Sequence, residues 1–143
     1  MDDMDRGILA LLTADARISV AMLARRLKVA RSTIQARLER LETSGAIAGY
    51  TLKLGDAARA ARIRATVLLT IEPRAQGGIL QRLKSLPEVE VAHSTSGRFD
   101  LLLQVAAAST AALDDVLDRI GAMQGVKSSE SLIHLSTRID RAV

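Results

Sequence analysis

Apolar positions recur along this chain with two different periods. In the first third the spacing is helical. Ile8, Leu11 and Leu12 form one stripe, with Asp5 as the expected N-cap and the helix ending near Ala14. Ser19 is placed to cap a second helix running to about Leu27 and burying Leu23, Ala24 and Leu27. A turn at residues 28–30 leads to a third helix with Ile34, Leu38 and Leu41 as its core stripe. Its start is open between Ala30 and a point two residues later, because Ser32-Thr33-Ile34-Gln35 matches the capping-box pattern. Gly45 signals the stop. Residues 46–54 (AIAGYTLKL) predict a short β-ribbon or wing, with Lys53 as a candidate backbone contact. Residues 55–62 predict an Ala-rich linker able to form a turn or two of helix.

Beyond Arg62 the period changes to two. Ile63, Ala65, Val67, Leu69 and Ile71 share one face of a predicted strand. Ile79, Leu80, Leu83 and Leu86 return to helical spacing over 75–86, stopped by Pro87. Over 88–95, Val89, Val91, His93 and Thr95 alternate in phase; Ser96-Gly97-Arg98-Phe99 makes a turn, and 101–105 runs back. Ser109 or Thr110 starts a helix burying Leu113, Val116 or Leu117, and Ile120; Gly125 ends it. Residues 126–137 predict a last strand with Ser129, Ser131, Ile133 and Leu135 on one face. The order β-α-β-β-α-β is the ferredoxin-like unit. Both helices of that unit cover one face of its sheet. The other face, rich in aliphatics, calls for a second copy of the chain.

Charge separates the two halves. Residues 1–61 carry 10 basic and seven acidic groups, against 10 and nine over 62–143. The excess is concentrated between Arg17 and Arg40, where seven Lys or Arg face the single acid Glu39. A one-sign patch of this density repels itself, and a phosphate backbone is its commonest partner. With only Tyr50 and Phe99 as aromatics, stacking on single-stranded bases is disfavoured. The absence of Cys excludes disulfides and thiolate chemistry and suits a cytoplasmic setting. The apolar runs are too short to span a membrane, and the acidic start is not a signal peptide.

Placing the third helix's stripe in the core turns Ser32, Ala36, Glu39 and Arg40 outward, with Thr33, Gln35 and Arg37 on the flanks. Small and hydrogen-bonding residues near the N-terminal end, flanked by Arg, suit a helix entering a major groove. Ser32, Thr33, Gln35 and Ala36 are then candidates for base edges, and Arg31, Arg37 and Arg40 for phosphates or guanine. The bland alternative is a solvated basic bundle. Other constellations carry less. His93 and His134 fall on strands and read as strand or interface histidines before metal ligands. Asp114, Asp115 and Asp118 read as a solvated helix face. Neither a catalytic array nor a phosphate-cradling loop is present, so no cofactor and no enzymatic activity are expected.

The chain resembles the Lrp/AsnC (leucine-responsive, feast/famine) family of prokaryotic transcription regulators. The likeness runs from MDDMDRGILALLTADARIS through LARRLKVARSTIQARLERLETSGAIAGY and LPEVEVAHSTSGRFDLLLQV to GVKSSESLIHL, in order and at the right separations. It implies an α+β chain: an N-terminal winged helix-turn-helix of three helices (1–54), a linker (55–62) and a C-terminal ferredoxin-like domain for oligomerisation and effector binding (63–143). It further implies homodimers, extendable to tetramers or octamers, on double-stranded DNA. An amino acid or related metabolite would bind between C-terminal domains near a Gly-x-x-Asp turn; carried onto this chain, that turn and the last strand make Gly97, Asp100, Ser129 and Ser131 the candidate effector residues. Gly97 and Asp100 equally suit a tight hairpin with a turn hydrogen bond. The chain departs from the family in carrying Ala30 where a Ser usually caps the recognition helix, and Lys28 where a small residue, often Gly, closes the turn. The competing functions are a sensor whose helical half binds a protein, and a non-specific architectural DNA binder.

Overall fold

The computed structural model describes residues 1–55, 57–59 and 61–142. They fall into two compact units: residues 1–54 with 141 and 142, and the described part of 55–140.

The first unit holds three helices, α1 (Asp3–Ala14), α2 (Val20–Leu27) and α3 (Arg31–Thr43). Their stripes meet in a core of Ile8, Leu23, Ala24, Ile34 and Leu41, with Leu38 and Ile47 packed against it. The N-cap of α1 is Asp2 instead of the expected Asp5. Asp2 and Asp5 form a reciprocal capping box, in which each carboxylate accepts from the other residue's backbone N–H. Ser19 caps α2 as expected, accepting from the Met22 amide at 3.0 Å. α3 starts at Arg31 with Ala30 as a cap that offers no side-chain acceptor; the Ser32-x-x-Gln35 pattern goes unused. The α2–α3 turn closes with Lys28 in the left-handed region (φ 58°, ψ 45°). The Lys28 amide reaches the Arg25 carbonyl and the Val29 amide reaches the Ala24 carbonyl. This is the paired bonding of a Schellman stop. No strand forms over residues 46–54, where a ribbon or wing was expected. In the linker, the amides of Ala58 and Arg59 turn back onto the Gly55 carbonyl; Asp56 and Ala60 of the predicted linker lie outside the described residues.

The second unit is the expected split βαββαβ fold: β1 (Ile63–Ile71), a 3₁₀ turn (Pro73–Ala75), α4 (Gln76–Lys84), β2 (Val89–Ser94), β3 (Leu101–Ala107), α5 (Thr110–Gly121) and β4 (Val126–Ile133). The sheet is antiparallel in the order β2-β3-β1-β4. Alternate residues of β1 and β3 (Ala65, Val67, Leu69; Leu101, Leu103, Val105) pack with Ile79, Leu83, Leu113, Val116 and Ile120 of the helices. β2 departs from simple alternation. A bulge at Glu90 lets Val89 pair with Val105 and Val91 with Gln104, so these two valines face opposite sides. β4 stops at Ile133, so Leu135 lies beyond it, 96% exposed. The helix-free face carries Leu68 and Leu102 at its centre, with Val91 and Leu132 left 41% and 51% exposed.

Candidate nucleic-acid interface and effector site

α3 presents an outer face of Arg31, Ser32, Gln35, Ala36, Glu39 and Arg40, all exposed, with Thr33 half-buried. Ala30 fixes this orientation only through backbone geometry. The core stripe does the rest, since Ile34 and Leu41 are buried against α1 and α2. Arg17, Arg25, Arg26, Lys28 and Arg31 have no ion-pair partner among the described residues. Arg25, Arg26, Lys28 and Arg31 lie at the end of α2, in the turn and at the start of α3, the end through which a recognition helix meets base edges, and Arg17 precedes α2.

Arg37 and Arg40 stand differently. The Arg37 guanidinium, with a side chain 23% exposed, bonds the Asp2 carboxylate and lies 3.2 Å from Asp5. Arg40 reaches the second oxygen of Asp5 at 3.4 Å while remaining 62% exposed. Asp5 is the one buried charged residue in the described core, 3% exposed. The Arg37 hydrogen bond, helped by the Asp5 amide, pulls Asp2 down to about 2. For Asp5 burial is the largest influence and pushes upward; the bonds from Arg37 and the Asp2 amide outweigh it and leave Asp5 below the ordinary carboxylate value. Arg37 is held more firmly protonated by the same two partners. Sequence reasoning missed this clamp. Its local half was legible in the Asp-x-x-Asp spacing at the chain start; the pairing with an arginine 35 residues away was not.

In the second unit the Gly97 turn sits between β2 and β3, with Gly97 at φ 106°. Asp100 is fastened to β1: its amide donates to the Leu69 carbonyl at 2.8 Å, and its carboxylate accepts from the Ile71 amide at 2.9 Å. Ser129 pairs with Leu69 from the other side of β1. Gly97, Asp100 and Ser129 are thus brought to one end of the sheet. Ser131, opposite Val67, lies two residues further along. By register Ser129 and Ser131 share the helix-covered face, and a Cβ on Gly121 at the end of α5 would lie 3.4 Å from the Ser129 hydroxyl. Ser128, which bonds the Thr70 hydroxyl, faces the opposite way. The Asp100 carboxylate thus bonds across to β1 and not within its own turn. Among the described residues no cluster of His, Asp and Glu could hold a metal, and no helix is long and apolar enough to cross a membrane.

Two family models match this arrangement. The AsnC-type helix-turn-helix domain covers residues 1–42, and the Lrp/AsnC ligand binding domain covers 64–143. The chain belongs to the Lrp/AsnC family of transcriptional regulators. The HTH-type transcriptional regulator LrpA of Mycobacterium tuberculosis is 33% identical, over 93% of this chain and 89% of its own length. The regulatory protein AsnC of Escherichia coli is 30% identical, over 100% and 95%. The solved structure of E. coli AsnC superimposes with a TM-score of 0.89 at 29% identity, covering 100% of this chain and 97% of that one. A Neisseria meningitidis regulator, NMB0573, solved as its L-Met complex, shares the fold (TM-score 0.87, 24% identity, 98% and 93% covered). This Lrp/AsnC protein is therefore a transcriptional regulator built from a helix-turn-helix DNA-binding domain and a ligand-binding domain. Its relatives are regulators, not enzymes.

Proposed function

We propose that this regulator recognises specific sequences in double-stranded DNA as a homo-oligomer and is modulated by an amino-acid-like effector. The observation that carries the DNA half is the concentration of Arg25, Arg26, Lys28 and Arg31, without an ion-pair partner among the described residues, around the turn and the start of α3, beside the exposed Ser32, Gln35 and Ala36. Ser32, Thr33, Gln35 and Ala36 read base edges; Arg25, Arg26, Lys28 and Arg31 hold phosphates. Arg40, still open to solvent, adds a contact from the far end of the helix, while Arg37 on the flank is engaged by Asp2 and Asp5. The helix-free face of the sheet, with Leu68 and Leu102 half-buried, supports pairing of copies. A two-fold pair presents two recognition helices and fits an imperfect palindrome with half-sites about one helical turn apart, or a multiple of it.

The test is Arg31→Ala in the full chain. Binding should weaken across all duplex sequences and the salt slope should fall by about 0.9, with oligomeric size unchanged. An unaltered slope would remove Arg31 from the contact set. For the effector half, the match to a ligand-binding domain and the convergence of Gly97, Asp100 and Ser129 support a small zwitterion at that end of the sheet, with Ser131 as a further hydroxyl. Calorimetry against L-Met and a panel of other amino acids, paired with sedimentation, tests it. Heat together with a change in assembly supports the site, and neither signal from any of them overturns it.

A further inference from the structure

We infer that Asp2 limits the DNA affinity of this regulator by occupying Arg37 as a phosphate would. The inference rests on the DNA reading of α3 given above. Arg37 lies on the flank of α3, the helix offered to DNA, and a guanidinium there is long enough to serve the backbone. It is bound instead by two carboxylates from the start of α1. Its fork-shaped donor set suits paired oxygens, whether they come from carboxylates or from a phosphate. The clamp is electrically closed: Asp2 and Asp5 balance Arg37 and Arg40. The two acids differ in how firmly they are committed. Asp5 is buried and bridges both arginines, so it belongs to the packing of α1 on α3. Asp2 is 53% exposed and touches Arg37 from the solvent side. Removing the Asp2 charge leaves the Asp5 bridge in place and frees the outer side of the Arg37 guanidinium. Asn is as good an N-cap as Asp, so Asp2→Asn retains the helix start.

The test uses the full chain, a random-sequence duplex and a salt series. Asp3→Asn serves as control; it removes the same charge one residue away, from an acid whose side chain is fully exposed and, among the described residues, paired only with Arg6. Asp2→Asn should tighten random-duplex binding several-fold at low salt and steepen the slope of log affinity against log salt by up to about 0.9, one further phosphate. Asp3→Asn should give a smaller gain with no change of slope. In an Arg37→Met background the two substitutions should become equivalent. Equal effects of Asp2→Asn and Asp3→Asn in the native background would overturn the inference while leaving the DNA reading intact. If the unaltered chain binds no duplex at low salt, both fall.

Discussion

Lys28 is the one described residue other than Gly at positive φ, and it closes the turn on which the DNA reading depends. A left-handed backbone costs a residue with a Cβ about 1–2 kcal/mol relative to Gly. Replacing Lys28 with Gly removes that strain and keeps both Schellman hydrogen bonds, which use only backbone atoms. Against this stand the greater freedom of Gly in the unfolded chain, about 0.4–1 kcal/mol, and a few tenths lost from a cation at the end of α2. The net expectation is a gain of roughly 0.5 kcal/mol, which for a domain of this size raises the melting temperature by roughly 2–4 °C. Lys28→Ala separates backbone from charge: it retains the strain and removes the ammonium, so its stability should stay near that of the native chain. Thermal unfolding followed by helical circular dichroism reads both. A Gly variant no more stable than the Ala variant would refute the strain argument. Both variants lose one cation beside the turn, so both should show a salt slope shallower by up to about 0.9 in DNA binding. The Gly variant would thus be more stable and bind less tightly.

Other expectations follow from the same geometry. Asp2 and Asp5 titrate below their unfolded values, so the clamp stabilises the fold above about pH 4 and loses that contribution as pH falls toward about 2. The difference in denaturant midpoint between the native chain and Arg37→Gln should shrink over that interval, and a difference independent of pH would count against the clamp. Gly125→Ala should be strongly destabilising, because Gly125 sits at φ 96° and a Cβ there would overlap that of Ala75. Since the Gly125 carbonyl also accepts from the Glu72 amide, the turn cannot swing away freely. Unfolding as cooperative and as late as that of the native chain would show that the corner yields.

The parts legible in the sequence were those whose partners are implied by a period. Strand β1 announces itself by Ile63, Ala65, Val67, Leu69 and Ile71, whose alternation fixes the face turned to the core, while its registers with β3 and β4 are set by the fold. The parts that were not legible depend on contacts far along the chain, or on a partner the chain does not contain. Residues 46–54 alternate like a strand, yet an isolated strand leaves half its backbone groups unpaired, and this unit offers no edge to complete them. Val89 and Val91 look in phase until the bulge at Glu90 separates their faces. Arg37 and Arg40 read as free cations because their charge is visible in the sequence and the fold that brings Asp5 to them is not. At the candidate effector site, Gly97 and Asp100 were recognisable as a pair; the bond from Asp100 to the Ile71 amide emerged only once β1 lay beside them.

The most direct measurement is duplex binding across a salt series, comparing the DNA upstream of the protein's own gene with a random duplex. The account predicts tighter binding to the upstream DNA. It also predicts log affinity falling linearly with log salt, at a slope near −4 to −5 for each engaged helix-turn-helix if Arg25, Arg26, Lys28, Arg31 and Arg40 all meet phosphates, at about −0.9 for each. No binding to either duplex at low salt would contradict it and leave the basic face of residues 17–40 to a protein partner.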